Sequence, residues 1–489
     1  MRLTASDFYS YFRPAKCDLR VYLRHHGEAE APPSPYEEVL FRLAERHEKA
    51  HLQTFPEVLD LSSLPWEKRW RRTVEAVGNG VAVVYQGALQ ATVSLNGVPC
   101  EIVGDPDFLI RVGDGYIIRD SKLSKRINDK DHPEIIYQVQ LYGWLYEQTF
   151  GRPAKGLEVH SGPGKIITIP YDGGQAALRV LAEILKFKQK QSEFYSPVGW
   201  AKCSGCGFFE RCWPRAEGAR DVALVSGVDQ GLARTLHEMG VKTVDDLVGL
   251  SEHELSQIER PWGRGRQRVG KRAAGILRAA AALASGNELL LQPPAIPDHP
   301  NYVMFDLEGM PPHLDELEKI YLWGVQVYGD RPSSYEAALA EPGADGDRQG
   351  WEQFLQIARR ILVEYGDLPF VHWHHYERTK LDLYIQRFGD PDGTAARVQA
   401  NLLDLLPITQ QAIVLPIPSY SLKVVERYIG FQRQRPEANG EWAIAKYIEA
   451  IETEDPQQHD ELIDEIRAYN QEDLEAMWAV LRWLKDKNR

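Results

Sequence analysis

Asp107, Asp120 and Lys122 are the residues best equipped for chemistry in the first half of the chain. They occur in Gly104-Asp105-Pro106-Asp107-Phe108-Leu109 and Asp120-Ser121-Lys122. Carboxylate oxygens are hard ligands for Mg²⁺ or Mn²⁺, and an ammonium beside them can orient an attacking water or offset charge on a phosphate. Gln138 and Tyr142, four apart on an expected helix, share one face and could grip a nucleotide or order a metal site. A second acidic set lies near the other end of the chain. Asp306 and Glu308, spaced by two, close the strand-like run Tyr302-Val303-Met304-Phe305-Asp306-Leu307-Glu308, and Tyr469 and Asp473 stand one helical turn apart.

Local structure must bring the first set together. Residues 100–110 and 115–123 read as apolar, β-prone runs separated by Val112-Gly113-Asp114-Gly115, a hairpin-turn signature. Asp107 and Asp120 are then expected on neighbouring strands. Side chains alternate faces along a strand, so Asp120 and Lys122 point to the side where Asp107 can meet them.

The series Gly-x-x-Asp, hairpin, Asp-x-Lys and Gln-x-x-x-Tyr resembles the RecB-like branch of the PD-(D/E)xK nucleases, including the CRISPR-associated members with an iron–sulfur cluster. The resemblance implies catalytic roles for Asp107, Asp120, Lys122, Gln138 and Tyr142 on a restriction-endonuclease-like core. It also implies that His47, in Arg46-His47-Glu48, is a metal ligand with Asp107 and Asp120. The glycine usual four residues earlier is Leu43 here, and His51 stands one turn later.

Five cysteines in 489 residues are too few for a disulfide scaffold, and the sequence shows no apolar stretch of signal-peptide or membrane length. A reducing cytoplasm, with no membrane partner, is therefore expected. Cys203, Cys206 and Cys212 cluster, with Cys17 far upstream. Three clustered thiols plus a distant one fit a [4Fe–4S] cluster or a tetrahedral Zn²⁺ site, and the family resemblance implies iron. Cys100 reads as a small buried residue.

The length suggests about three domains. Apolar (43%) and charged (26%) fractions are ordinary for globular proteins, while a net charge of −13 confines any nucleic-acid contact to local patches. Glu217-Gly218 and Gln292-Pro293-Pro294 punctuate the chain, giving expected domains at 1–220, 221–292 and 298–489. Residues 221–285 read as helical and resemble the helix-hairpin-helix repeats of DNA-repair proteins, which implies a small all-α module whose backbone amides meet phosphate. Arg260, Arg264, Arg266, Arg268, Lys271 and Arg272 follow with no acid among them, and are expected to contact DNA.

The last segment resembles the DEDD exonucleases of the RNase H-like superfamily in their tyrosine variant, which implies a mixed α/β sheet and two-metal hydrolysis. Asp306, Glu308 and Asp473 would hold the ions, and Tyr469 would orient the attacking water. Glu377, in His372-Trp373-His374-His375-Tyr376-Glu377, occupies the place of the middle acid, with Asp382 as the fallback. Asp404 matches a position that often supports the ligands, and Tyr420-Ser421-Leu422-Lys423 resembles the stretch that follows it.

Taken together, the α/β and α+β multidomain chain resembles the bacterial family of RecB-like nucleases with a C-terminal RNase H-like domain. The resemblance implies a Mg²⁺- or Mn²⁺-dependent DNA exonuclease acting on single strands or ends, in DNA repair or foreign-DNA and CRISPR spacer processing. A helicase or a CRISPR adaptation protein would be the partner, since no Walker sequence is present. A ribonuclease and an inactive DNA-binding scaffold are the alternatives.

Overall fold

The computed structural model describes residues 1–263, 265–311 and 318–487. The chain divides into two compact units. Met1–Pro33, Glu37–Ser196 and Lys202–Phe209 form the first; Ser34–Tyr36, Pro197–Ala201 and Glu210–Arg489 form the second. Residues 221–292 and 298–489, read from sequence as separate modules, both fall within the second unit.

The first unit is built on a six-stranded sheet ordered Leu59–Asp60, Val83–Tyr85, Phe108–Val112, Gly115–Lys122, Gly156–Ser161, Ile166–Thr168. Phe108–Val112 and Gly115–Lys122 form the expected hairpin, with Val112 opposite Gly115 and Gly113 at φ 61°, a conformation that favours glycine. Gly115–Lys122 runs parallel to Gly156–Ser161, so the chain must cross over between them, which it does through the helix Pro133–Phe150. Pro133 opens that helix and a left-handed Gly151 closes it. Ile135, Val139, Tyr142 and Tyr146 form one buried stripe on it. Burying each such side chain contributes about 1.5–3 kcal/mol.

One strand assignment is corrected. The run expected as a single strand over 100–110 is two strands, Val98–Gly104 and Phe108–Val112, interrupted by Asp105-Pro106-Asp107. Proline lacks an N–H for the ladder and restricts the residue before it. Val98–Gly104 instead joins Arg2–Thr4 and Leu89–Leu95 in a separate three-stranded sheet, and Asp107 sits in the break rather than on a strand.

In the second unit, the helices Gln230–Glu238, Val244–Val248, Glu252–Gln257 and Ala273–Ser285 realise much of the helical expectation for 221–285. The starts of the first three follow from sequence: Asp229, Thr243 and Ser251 cap them, the last two in reciprocal capping boxes. The exception is the basic stretch, where Glu259–Trp262 pairs with Gly265–Arg268 as an antiparallel hairpin. Pro261, Gly263 and Gly265 all disfavour a continuous helix there.

The C-terminal sheet is ordered Glu336–Leu339, Lys319–Gly329, Asn301–Met310, Phe370–His372, Leu402–Asp404. The first three strands are antiparallel neighbours; the last two run parallel to the central Asn301–Met310. On one face Val303, Phe305 and Leu307 pack with residues of the helices Gly343–Tyr365 and Tyr376–Phe388. On the other, Tyr302 and Met304 pack with Leu422–Tyr428 and the long helix Pro456–Asp486.

Gly324 lets that long helix approach. A Cβ there would lie 1.7 Å from Asn470 Oδ1. Gly324→Ala is therefore expected to destabilise by about 1–3 kcal/mol through overpacking. It should also disturb Asn470, whose Nδ2 donates to Asp306 Oδ2 at 2.7 Å. Thermal melting of the purified variant beside wild type checks the loss of stability.

Candidate active sites

Two clusters of buried and half-buried carboxylates stand out, one in each unit. In the first, Asp107 is 8% and Asp120 is 1% exposed. The Ser121 backbone N–H donates to Asp107 Oδ2 at 2.8 Å, and Lys122 Nζ lies 2.6 Å from Asp120 Oδ2. The strand alternation that was expected to align Asp120 with Lys122 does so. Burial and the Asp120 carboxylate push the Asp107 carboxyl well above the usual range. Burial works against the Lys122 ammonium, but Asp120 and Asp107 outweigh it and raise its proton affinity. Asp120 Oδ1 is buried without a hydrogen-bond partner. An orphaned carboxylate oxygen beside a second acid suits a divalent cation, and the cluster fits one on that ground.

Gln138 Nε2 donates to the Tyr142 hydroxyl at 2.8 Å, as their helical spacing allows. Burial, then the charge of Asp120, keeps that phenol protonated. The Tyr142 ring packs so closely on Gly104 that a Cβ there would lie 2.6 Å from it. Two residues that sequence reasoning missed complete the cluster. Gln86 Nε2 donates to Asp107 Oδ1 at 3.0 Å and to Glu48 Oε1 at 2.7 Å, while the Tyr85 hydroxyl donates to Glu48 at 2.8 Å. Gln86 adopts φ 53°, a strained conformation that aims its amide inward. Glu48 follows His47 directly, and that adjacency was the available signal.

His47 itself stacks on His160 at 4.3 Å between ring centroids, and His160 stacks on His51 at 3.9 Å. His51 Nε2 meets Arg119 Nη1 at 3.2 Å. Burial, together with Arg119 and the neighbouring imidazoles, pushes His51 and His160 down to about 4, so both are neutral at physiological pH.

None of the five cysteines forms a disulfide. Cys17 caps the helix Asp18–His25, its Sγ accepting from the Arg20 N–H at 3.4 Å. Burial above all, with Asp18, Cys203 and Cys206 nearby, pushes its thiol up to about 11. Cys17, Cys203 and Cys206 belong to the first unit and Cys212 to the second. Cys100 is fully buried in the core.

The second cluster joins Asp306, Glu308 and Asp473. Each offers an oxygen, and these atoms lie within 4.8 Å of one another, the one such group among the described residues. Asp306 and Glu308 share a strand face by their spacing of two, and a bulge follows at Glu308/Gly309, a device that re-aims side chains beside active sites. Asp473 arrives on the Pro456–Asp486 helix, on the buried stripe Ile466, Tyr469, Asn470, Asp473 and Met477. Asn470 Nδ2 donates to Asp306 Oδ2 at 2.7 Å, and the Tyr335 hydroxyl donates to Asn470 Oδ1 at 3.0 Å.

Arg433, also missed from sequence, is the counter-ion. Its Nε and Nη2 grip Glu426 at 2.6 and 2.7 Å, and Nη2 also donates to Asp473 Oδ1 at 2.5 Å. Burial, then the Asp473 and Glu308 charges, raises the Asp306 carboxyl well above the usual range, and Glu308 follows for the same reasons. Three crowded acids, with the carboxyls of Asp306 and Glu308 raised by burial and by their neighbours, form a donor set that a divalent ion relieves, so the residues fit one. Tyr469 is 5% exposed beneath the Lys423 and Arg433 cations, and burial keeps it protonated.

Glu377 is buried on the Tyr376–Phe388 helix, where it meets His372 Nδ1 at 3.2 Å; burial raises its carboxyl. Its charge is felt by Asp306 and Glu308, although it lies outside their 4.8 Å group. Asp382, the fallback, is exposed and holds Gln399 instead. Asp404 accepts from the His374 N–H at 2.9 Å, fixing that residue at φ 76°.

The proposed DNA contacts divide. Arg260 is 1% exposed and ion-paired to Asp229 at 2.8 Å, so it is not available to a phosphate. Arg266, Arg268, Lys271 and Arg272 are exposed, and Arg264 lies outside the described residues. No helix among the described residues is long and apolar enough to cross a membrane.

No curated protein matches this chain. The solved structure of SSO0001 aligns at 18% identity over 36% of this chain and 96% of its own, with a TM-score of 0.20. A family model of the RNase H superfamily matches residues 303–485, the stretch that carries Asp306, Glu308, Glu377, Tyr469 and Asp473, and this likeness suggests nuclease-type chemistry.

Proposed function

We propose that the protein is a Mg²⁺- or Mn²⁺-dependent nuclease that trims DNA ends in its C-terminal domain and carries a second, PD-(D/E)xK-type site in its first unit. The observation that carries this reading is the convergence of Asp306, Glu308 and Asp473 within 4.8 Å, on a domain matched to the RNase H superfamily. A divalent cation held by these three would activate water and stabilise charge on the phosphate. The chain's own residues set the geometry. Asn470 fixes Asp306, and Arg433, locked on Glu426, fixes Asp473. Tyr469 keeps its proton and can donate a hydrogen bond to the attacking water. In the first unit, Asp107 and Asp120, with Glu48 close by through Gln86, would hold a cation, and Lys122 stays charged to meet the phosphate.

The finer parts of the reading have separate support. An iron–sulfur cluster at Cys17, Cys203, Cys206 and Cys212, with zinc as the alternative, rests on the cysteine pattern and the family resemblance; metal content and visible absorbance decide between them. The capped helices and the left-handed Gly227 and Gly240 support a phosphate-binding helical module.

The function is tested by incubating end-labelled DNA and RNA oligomers of matched sequence with Mn²⁺. Stepwise shortening of DNA is expected. Cleavage of RNA alone would overturn the choice of polymer, and binding without any cleavage would reduce the protein to a scaffold.

A further inference from the structure

Trp262 is the one tryptophan among the described residues that is exposed, at 58%. It ends the first strand of the basic hairpin, opposite Gly265. Its ring is not loose. The Arg260 guanidinium lies 4.2 Å from the ring centroid, and Arg260 is itself buried, ion-paired to Asp229 at 2.8 Å and donating to Gln267 Oε1 at 3.2 Å. One face of the indole is thus backed by a fixed cation, while the residue as a whole stays open to water.

The surroundings favour an anion. Between residues 259 and 272, leaving aside Arg264, five cations face one acid, Glu259, in a chain of net charge −13. The Arg266, Arg268 and Arg272 side chains are 60%, 65% and 46% exposed, and Lys271 is exposed beside them. Their partners leave capacity to spare. Glu259 is shared between Arg266 at 3.8 Å and Arg268 at 3.3 Å, and Asp229 reaches Arg272 only at 3.9 Å.

We infer that Trp262 is a stacking platform for an unpaired base of single-stranded nucleic acid, with Arg266, Arg268, Lys271 and Arg272 taking the flanking phosphates. This deepens the nuclease reading, from which it takes nucleic acid as the class of partner. An indole presented edge and face to water binds what offers it a flat π surface. In a duplex those surfaces are covered by neighbouring bases, whereas a single strand can splay one out. Because Arg260 has already fixed the ring, stacking costs little further side-chain ordering. Arginines around the ring supply contact that is indifferent to sequence.

The test uses the full chain in EDTA, so that binding is read without cleavage. Fluorescence anisotropy compares a labelled single-stranded oligothymidine with a labelled DNA duplex. Trp262→Ala is expected to weaken single-strand binding roughly tenfold, with Trp262→Phe retaining most of it, and to change duplex binding by less than about twofold. An unchanged melting temperature shows that the hairpin survives. Arg266→Ala with Arg268→Ala should weaken both ligands and flatten the dependence of log affinity on log salt by about 0.7 per lost single-strand contact.

The inference is overturned if the wild-type chain binds no single strand, if Trp262→Ala binds it as tightly as wild type, or if it loses single strand and duplex alike. A chain that shows the expected binding but cuts nothing with Mn²⁺ would instead overturn the nuclease reading and leave the platform standing.

Discussion

Asp306→Asn is expected to lower metal-dependent cleavage by the C-terminal domain about 10³-fold while making the metal-free protein more stable. The first effect follows from the place of Asp306 in the group whose oxygens lie within 4.8 Å. A neutral amide cannot supply the charge that a divalent ion needs there. The second follows from the direction of the shift at Asp306. Burial and the acids beside it raise its carboxyl, so the folded state binds that proton more tightly than the unfolded chain does. Such a group's contribution to stability is fully present below the unfolded pKa and is lost as pH rises toward the folded one. Above the unfolded pKa, placing Asp306 in this site therefore costs the metal-free fold stability, as a buried charge or as a proton taken up, and the uncharged asparagine avoids that cost. Melting temperatures in EDTA should favour the variant at pH 7, and the gap should shrink on acidification. In Mn²⁺ the order should reverse, because only the wild type gains from the ion.

Asp120→Asn should abolish a different set of products. Asp120 is nearly inaccessible, has one oxygen 2.6 Å from Lys122 and has the other without a hydrogen-bond partner. Neutralising it removes the cation site and leaves the Lys122 ammonium without its closest partner, and a loss of about 10³-fold in cleavage by the first unit is expected. End-labelled single strands and duplexes, digested separately by Asp120→Asn and Asp306→Asn, check the independence of the two sites. Each variant should lose bands that the other keeps. Wild-type patterns from both would contradict a two-site enzyme.

What could be read in the sequence was local. The turn at Val112-Gly113-Asp114-Gly115, the two-residue spacings of Asp120 with Lys122 and of Asp306 with Glu308, and the helical step from Tyr469 to Asp473 all depend on periodicities of a few residues. What escaped was long in range or against the local pattern. Asn470 reaches Asp306 across 164 positions through a gap that exists only because residue 324 is glycine. Arg433 lies in an irregular segment with no periodicity to mark it, and only the folded chain brings it to Asp473. Pro106 breaks a run whose apolar content suggested one strand.

The basic stretch illustrates the limit best. Arginines are compatible with either helix or strand, so their charge was legible while their hairpin was not. Arg260 looked like its exposed neighbours, yet it is buried as an internal counter-ion beneath Trp262. Charge counted along a sequence does not tell a phosphate ligand from a structural cation.

If acidic oxygens in the C-terminal domain gather a divalent cation, anomalous diffraction from crystals soaked in Mn²⁺ should locate it. A manganese peak bounded by Asp306, Glu308 and Asp473 is expected, with Arg433 still against Asp473 and no peak in Asp306→Asn crystals. Wild-type crystals in which these three carboxylates hold no manganese would contradict it.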